Sequence, residues 1–252
     1  MAALAEMTRT EARSVAPHAI AVLPIGATEQ HAEHLPMGTD AMLVDAVLDA
    51  ALDRLPARIG IVRAPTLPYG SSEHHLFSAA LSLRPTTLLP VLTDLLRSLV
   101  VTGFRRLMVV NGHGGNEEIM RLAVKQTALE HPVAVAAASY WALGEPDAAT
   151  RVPGHAGWYE TSLMLAHRAD LVRPQRTEAA AEPPVFDRPP WPGLVVEKHG
   201  EWARVGGFTD AATDSTAATG TDLLARRAAE LAGAIVAFDA ATTEFRRESD
   251  AP

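Results

Sequence analysis

The fold and the chemistry of this chain are both indicated by one stretch of sequence, Ile25-Gly26-Ala27-Thr28-Glu29-Gln30-His31-Ala32-Glu33-His34-Leu35-Pro36-Met37-Gly38-Thr39-Asp40. It follows an apolar segment, residues 20–25, that is typical of a buried strand, and it ends where a helical pattern begins. Between the two it carries carboxylates and imidazoles, which are costly to bury unless they are paired or bind a metal. The stretch therefore predicts a strand, a loop with a metal site, and a helix.

Short apolar runs alternate with longer amphipathic segments along the rest of the chain. We predict strands at residues 20–23, 60–64, 107–110 and 133–138, and helices at residues 40–55, 85–102, 117–130, 161–167 and 221–240. This alternation implies βαβ units, a mostly parallel sheet and helices on both of its faces. In such sheets the functional loops lie beyond the C-terminal ends of the strands, where the loops of Glu29 and His113 leave the sheet.

The chain has 252 residues, which is enough to bury one large core. We predict a single domain over residues 1–252, in which the tail, residues 246–252, frays. The Pro-rich segment, residues 174–199, shows no clear period and is predicted to be an ordered loop or a lid. The sequence leaves the role of this segment open.

Composition excludes several functions. The net charge of −8 and the pI near 5.7 argue against nucleic acid or an anionic membrane as a partner. The sequence contains no cysteine, so thiolate zinc sites, disulfides and cysteine nucleophiles are excluded. The N-terminal residues do not have the pattern of a secretory signal, and no apolar run approaches the roughly 20 residues of a membrane span. The sequence predicts a cytoplasmic protein.

Without thiolates, a divalent ion must be held by imidazole and carboxylate groups. The candidate ligands come from three segments, and they are Glu29, His31, Asp40, His113 and Glu160. Asp40 is the natural bridge between two ions, since a helix start favours a negative charge. Taken singly, these residues also fit a helix cap, a turn histidine and a first-turn carboxylate, so it is their combination that indicates metal binding.

Three carboxylates facing two divalent ions leave a positive surplus, which favours a metal-bridging hydroxide as nucleophile for a carbonyl carbon. We assign His155 as the proton donor for the leaving nitrogen. Glu160 is predicted to be a catalytic residue as well as a metal ligand. The backbone N–H groups of Gly114 and Gly115 could serve an oxyanion. Other candidates for the substrate cleft are Glu73, His74 and Trp158, for which a polar loop or plain packing is the alternative.

The candidate ligands lie in three motifs, Glu29-Gln30-His31 followed by Leu35-Pro36-Met37-Gly38-Thr39-Asp40, then Asn111-Gly112-His113-Gly114-Gly115-Asn116, then His155-Ala156-Gly157-Trp158-Tyr159-Glu160-Thr161-Ser162. In this order and spacing, the motifs resemble those of the creatininase family of metal-dependent amidohydrolases. The similarity extends from about Leu23 to about Leu231. It includes Tyr69-Gly70-Ser71-Ser72-Glu73-His74 and Gly207-Phe208-Thr209-Asp210.

The resemblance implies a three-layer α/β/α sandwich and two divalent ions per chain, with zinc, manganese or iron as the metal. It implies that Glu29, His31, Asp40, His113 and Glu160 bind the ions and that His155 is the acid–base residue. It also implies a homo-oligomer, with a hexamer favoured. The expected substrate is a small cyclic amide or a formamide-type compound.

Two departures from the family motifs restrict the substrates that the resemblance implies. Creatinine-cleaving members place a carboxylate ligand just after the histidine of the second motif, where this chain has Gly115. Many relatives have Phe-Pro-Gly-Thr where this chain has Phe77-Ser78-Ala79-Ala80. Creatinine is therefore not the favoured substrate.

Three other functions remain open at this stage. One is a hydrolase that trims a peptide during cofactor maturation, of the mycofactocin type. The second is a non-catalytic oligomeric protein that binds metal. Phosphoester hydrolysis ranks below both, because the motifs contain no Arg or Lys.

Overall fold

The computed structural model describes residues 2–144, 154–178 and 182–246. Five parallel strands form one sheet in the order β1-β3-β2-β4-β5. The strands are β1 (Ala2–Ala3), β2 (Ile20–Ile25), β3 (Ile61–Arg63), β4 (Arg106–Asn111) and β5 (Ala134–Ser139). The helices are α1 (Arg9–Val15), α2 (Thr39–Leu52), α3 (Pro85–Thr102), α4 (Glu117–Glu130), α5 (Trp158–Arg168), α6 (Glu201–Arg204) and α7 (Ala217–Ala241).

The sheet is covered on both faces. Ile20 and Val22 of β2 lie in a core with α2, α5 and α7, whereas Ala21, Leu23 and Ile25 lie in a second core with α3 and α4. Alternate residues of a strand point to opposite faces, and β2 is buried along its whole length, so β2 contributes side chains to both cores. The predicted α/β/α sandwich with a mostly parallel sheet is confirmed.

Most predicted elements are present with shifted ends. Helix α4 spans the predicted residues, and α3 begins at Pro85 and stops at Gly103, whose φ of 123° ends the helix. The prediction did not include β1, α1 or α6. Helix α1 nevertheless has a local signal, because Thr8 and Glu11 form a capping box at its start.

Close packing at the carboxyl edge of the sheet positions the start of α2. A β-carbon on Gly112, the residue after β4, would lie 2.6 Å from the backbone oxygen of Asp40. Only glycine allows this approach, so the first turn of α2 rests directly against the ends of β2 and β4. Asp40 is thereby placed beside the loops that follow these two strands.

The two irregular segments are described only in part. Residues 174–178 and 182–199 contain no helix or strand, and residues 179–181 lie outside the described part of the chain. Arg246 donates a hydrogen bond to Asp239 at 2.7 Å, and residues 247–252 of the tail that was predicted to fray also lie outside it. Over the described ranges, no helix combines the length and the hydropathy that a membrane crossing requires.

Candidate metal centre

Side chains from four loops and helix starts meet beyond the carboxyl edge of the sheet. Glu29 and His31 follow β2, Asp40 lies in the first turn of α2, His113 follows β4, and Glu160 lies in the first turn of α5. Glu29 and His31 are fully buried, and Asp40 and His113 are 2% and 4% exposed. All five predicted ligands are thus brought together in a site largely shielded from water.

Asp40 stands between two histidines. Its Oδ1 is 3.1 Å from His31 Nε2, and its Oδ2 is 3.1 Å from His113 Nδ1. The remaining ring nitrogen of each histidine lies 3.0 Å from a backbone oxygen, of Glu29 for His31 and of Ser71 for His113. If these nitrogens donate to those carbonyls, the nitrogens that face Asp40 carry the lone pairs, an arrangement typical of metal-ligating histidines.

Two groups of potential ligands share Asp40. One consists of Glu29, Asp40 and His113, the other of His31, Asp40 and Glu160, and within each group the ligand atoms lie within 4.8 Å of one another. Both carboxylate oxygens of Glu29 and Oδ2 of Asp40 are buried, and among the residues that the structure describes they have no hydrogen-bond partner. Unpartnered buried carboxylate oxygens are costly, and a divalent cation would satisfy them. The nitrogen and oxygen donor set fits zinc, manganese or iron.

The electrostatics of the metal-free site are strongly coupled. Burial alone would lower the pKa of His31, but Asp40 and Glu160 raise that pKa to about 10. In the same way, Glu29 and Asp40 outweigh burial and raise the pKa of His113 to about 9. Burial would raise the pKa of Asp40, yet His31 and His113 hold that pKa well below its usual range. In the metal-free site the neighbouring carboxylates therefore favour the protonated form of both histidines.

Glu160 is oriented by a strained turn. Ala156 has a φ of 55°, a left-handed conformation that is uncommon for a residue other than glycine, and its N–H donates to Glu160 Oε2 at 2.7 Å. The same oxygen lies 3.9 Å from His31 Nε2. Burial raises the pKa of Glu160 to about 8. Strain of this kind is often found at functional sites, where the surrounding structure maintains it.

His155 lies at the start of the same turn. Its backbone N–H donates to Thr209 Oγ1 at 2.8 Å, its Nε2 lies 2.8 Å from the backbone oxygen of Gln30, and its Nδ1 is 3.5 Å from Glu29 Oε1. Burial and the neighbouring His31 lower the pKa of His155. With its hydrogen on Nε2, His155 can donate to the Gln30 oxygen. Its Nδ1 then carries the lone pair and faces the ligand cluster.

A cavity of about 450 Å³ opens beside the ligands. Predicted residues that line it are Asp40, His74, His113, Gly114, Gly115, His155 and Glu160. Glu73 and Trp158 are not among its described lining residues. Glu73 is 45% exposed and lies 3.9 Å from Arg84 Nε, whereas Trp158 packs against the core of α2, α5 and α7.

One wall of the cavity comes from the region of the Pro-rich segment. Trp202 of α6 stacks on Phe186 with ring centroids 4.5 Å apart, and it contacts His74 at 4.8 Å. Both aromatic residues line the cavity. The sequence predicted an ordered loop or a lid for the Pro-rich segment, and it did not single out Phe186 within that segment. Because Trp202 and Phe186 are far from the ligand motifs in the sequence, no local pattern indicated that they line the same cavity.

Comparison with known families gives one match over nearly the whole chain. The family described as "Creatininase: Creatinine amidohydrolase" matches residues 5–235. A mycofactocin precursor peptide peptidase from Mycobacterium ulcerans is 35% identical over 172 residues, which cover 66% of this chain and 65% of that relative. The chain thus spans just under two thirds of that relative's length.

Two further comparisons give one similarity in sequence and one in fold. A creatinine amidohydrolase from Pseudomonas putida is 34% identical over 202 residues, covering 71% of this chain and 73% of that protein. A solved structure described as "Creatininase Mn" superposes with a TM-score of 0.77 at 27% identity, covering 92% of this chain and 96% of that one.

Proposed function

This chain belongs to the creatininase family, and on that premise we propose that it is a metal-dependent amidohydrolase acting on a non-peptide C–N bond. The proposed substrate is a small cyclic amide or a formamide-type compound. The observation that carries the proposal is the position of Asp40, whose two oxygens each face a different histidine at 3.1 Å. A carboxylate with that geometry suits a bridge between two cations.

The residues fit two divalent ions, one held by Glu29, Asp40 and His113 and the other by His31, Asp40 and Glu160. Zinc is the favoured metal, with manganese and iron as alternatives that the same ligands accept. Bound ions would supply the Lewis acidity that polarises an amide carbonyl and lowers the pKa of a water molecule.

His155 is the residue proposed to move the proton. Its Nε2 is held by the Gln30 carbonyl, and its Nδ1 faces the ligand cluster. Nδ1 can accept a proton as the nucleophile forms and then deliver it to the departing nitrogen. We propose that the backbone N–H groups of Gly114 and Gly115, which line the same cavity, stabilise the negative charge on the carbonyl oxygen.

The shape of the site supports a small substrate other than creatinine. A cavity of about 450 Å³ matches the size of small-molecule sites, and Trp141 and Trp202 offer flat surfaces to a planar ring. There is no room for a carboxylate at Gly115, because a β-carbon there would lie 2.6 Å from His113 Nε2. Glu160 therefore takes the place of a ligand at that position.

Peptide trimming is the second candidate function. It is supported by the 35% identity to the mycofactocin precursor peptide peptidase, which is similar to the 34% identity to creatinine amidohydrolase. In that case the cavity would hold the end of a peptide, with the same ligands and the same His155. A non-catalytic metal-binding protein is the third candidate, and the presence of His155 beside a complete ligand set argues against it.

The assembly and the compartment stay predictions. We propose a homo-oligomer, with a hexamer favoured by the family resemblance, located in the cytoplasm and acting without nucleic acid or membrane partners. Light scattering of the purified protein measures the number of subunits.

The proposed function is tested by metal analysis and activity together. We expect about two ions per wild-type chain and a sharp loss in Asp40→Asn, with Asp53→Asn, an exposed aspartate at the end of α2, as the control that keeps both ions. Wild-type protein loaded with zinc or manganese is then assayed on cyclic amides, formamides and short peptides. A wild type that stays free of metal when supplied with zinc and manganese would refute the proposal, and turnover of peptides alone would favour the second candidate.

A further inference from the structure

His75 is a buried histidine beside the candidate metal ligands, and it was not predicted as one of them. It is fully buried, and its Nε2 lies 3.4 Å from Glu29 Oε1. Within the described part of the chain, neither atom has a hydrogen-bond partner. By distance alone His75 could be a ligand, because Glu29, His74 and His75 also form a group whose ligand atoms lie within 4.8 Å of one another.

The orientation of the Gln30 amide decides what His75 can do. Gln30 Oε1 accepts a hydrogen bond from the Ala32 N–H at 2.9 Å, and Gln30 Nε2 donates to the Gly207 carbonyl at 2.7 Å. Reversing the amide would place oxygen against the Gly207 oxygen and N–H groups against the Ala32 N–H. Both contacts would then be repulsive, so the amide has one acceptable orientation.

In this orientation two ring nitrogens lie within reach of the second hydrogen of Gln30 Nε2, His75 Nδ1 at 2.9 Å and His155 Nε2 at 3.2 Å. His75 Nδ1 is the better acceptor, because its distance is shorter and because His155 Nε2 can donate to the Gln30 backbone oxygen 2.8 Å away. His75 Nδ1 is therefore an acceptor. A neutral imidazole with an accepting Nδ1 carries its hydrogen on Nε2, and a protonated nitrogen has no lone pair for a metal. The nitrogen that faces Glu29 is a donor rather than a ligand.

Gln30 imposes the opposite arrangement on the neighbouring ring. The backbone oxygen of Gln30 lies 2.8 Å from His155 Nε2 and accepts its hydrogen, which leaves the lone pair of His155 on Nδ1. The rings of His75 and His155 stack with centroids 4.3 Å apart, and both face Glu29 Oε1, at 3.4 and 3.5 Å. One residue thus sets two adjacent histidines in different tautomers.

We propose that His75 is a positioning residue that donates from Nε2 to Glu29 Oε1 and leaves Glu29 Oε2 as the atom that binds the cation. The proposal rests on the proposed metal-dependent function and adds a residue to its site. It assigns the Glu29, His74 and His75 group no ion of its own. It also gives Gln30, between two candidate ligands in the sequence, the role of fixing both histidine tautomers.

Two substitutions of His75 separate a donor from a ligand. In His75→Gln the side-chain amide can reach the position of Nε2 and donate to Glu29, whereas in His75→Asn the shorter amide mimics Nδ1 and leaves Glu29 without a donor. Zinc affinity and stoichiometry are measured on full-length protein by titration against a competing chelator. We expect His75→Gln to bind zinc within about threefold of wild type and His75→Asn to lose about 10- to 100-fold with the stoichiometry retained.

The tautomer is measured independently of any metal. Two-bond ¹H–¹⁵N spectra of metal-free protein with labelled histidine distinguish a protonated Nε2 from a protonated Nδ1, and the His75 signals are those that disappear in His75→Asn. We expect the hydrogen on Nε2. Melting temperatures of the metal-free variants report the structural cost of each substitution, which should be similar for the two.

Three results would overturn the proposal: a hydrogen on Nδ1 of His75, a His75→Asn variant that binds zinc as wild type does, or a His75→Gln variant that lacks one of the bound ions. Equal losses of affinity in both variants would also count against it, because they indicate a packing role alone. A wild type that binds zinc but hydrolyses no amide would refute the proposed function and leave these measurements decisive for His75. If the wild type bound no zinc, both the proposed function and the proposed role of His75 would fail.

Discussion

Gly115 lies so close to Ser71 that a β-carbon on residue 115 would stand 2.2 Å from the Ser71 carbonyl oxygen. That oxygen is also 3.0 Å from His113 Nε2 and orients the histidine toward Asp40. A side chain at position 115 would therefore displace the group that holds a candidate ligand in place. The same crowding leaves no space for a carboxylate at position 115, and Glu160 is the candidate carboxylate ligand in its place.

The contact between residue 115 and the Ser71 carbonyl oxygen can be tested by substitution. Gly115→Ala should lower the free energy of unfolding by about 1–3 kcal/mol, because overpacking against backbone cannot relax easily, and it should weaken zinc binding. Gly114→Ala is the matched control, since a β-carbon there has no neighbour within 4 Å, and it should change stability by less than about 0.5 kcal/mol. Urea unfolding measures both. Equal stability of the two variants would contradict the packing argument.

Glu160→Gln should remove one of two bound ions. The amide oxygen can still accept the Ala156 N–H bond, so the turn should persist, but a neutral amide is a poor ligand for a second cation. Elemental analysis should show the metal content falling from about two ions to about one per chain. Glu118→Gln, which alters another carboxylate of the cavity outside the ligand groups, should keep both ions. Retention of two ions by Glu160→Gln would exclude Glu160 as a ligand.

His155→Gln should separate catalysis from metal binding. The glutamine amide can donate to the Gln30 oxygen as His155 Nε2 does, but it offers no base in place of Nδ1. We expect the metal content to be unchanged and turnover to fall by about 10²- to 10⁴-fold. Steady-state kinetics on an accepted amide measure the loss, with His167→Gln, an exposed residue of α5, as control. Near-normal turnover in His155→Gln would show that another group transfers the proton.

The pH dependence of stability should differ between metal-free and metal-loaded protein. The folded pKa values of His31, His113 and Glu160 are raised to about 10, 9 and 8. A raised pKa contributes stability that is fully present below the unfolded value and is lost as the pH rises through the folded value. The contribution of both histidines is therefore complete below the unfolded value of about 6.5. It should disappear towards pH 9 to 10.

Calorimetry across this interval measures the effect. We expect the melting temperature of the metal-free protein to decrease from about pH 7 to about pH 10, whereas bound cations replace the protons and should make the loaded protein less sensitive. A metal-free melting temperature that rises through the same interval would mean that these groups are not protonated in the folded state.

Trp202→Ala should impair substrate binding more than stability. Trp202 contacts His74 and stacks on Phe186 in the cavity wall, so its removal should raise KM for a planar amide by about 5- to 10-fold, in line with the energy of one aromatic contact. Trp191→Ala is the matched control, because Trp191 belongs to the same region and is 74% exposed. If Trp191→Ala alone altered the subunit number and neither variant changed KM, the region would be a subunit contact rather than a cavity wall.

Much of the fold and the proposed ligand set could be read from local patterns. The periods of apolar residues predicted β2, β4, α3 and α4 with shifts of at most a few residues, because burial on a strand or a helix face repeats at fixed spacing. Glu29, His31 and His113 follow β2 and β4, Asp40 and Glu160 lie in the first turns of α2 and α5, and parallel strands bring their C-terminal ends to one edge of the sheet. Their meeting there required no knowledge of distant contacts.

Other features depend on contacts between residues far apart in the chain. The role of Gln30 cannot be predicted from the residues beside it in the sequence, because its amide contacts Gly207 and His75. Trp202 likewise becomes part of the cavity only when α6 packs on the turn that contains His74. Local patterns were sufficient to predict the main strands and helices and the donor groups at their ends, because both depend on short-range order. Which nitrogen of each histidine faces a carboxylate depends on folding, since a tautomer is set by partners that are distant in the sequence.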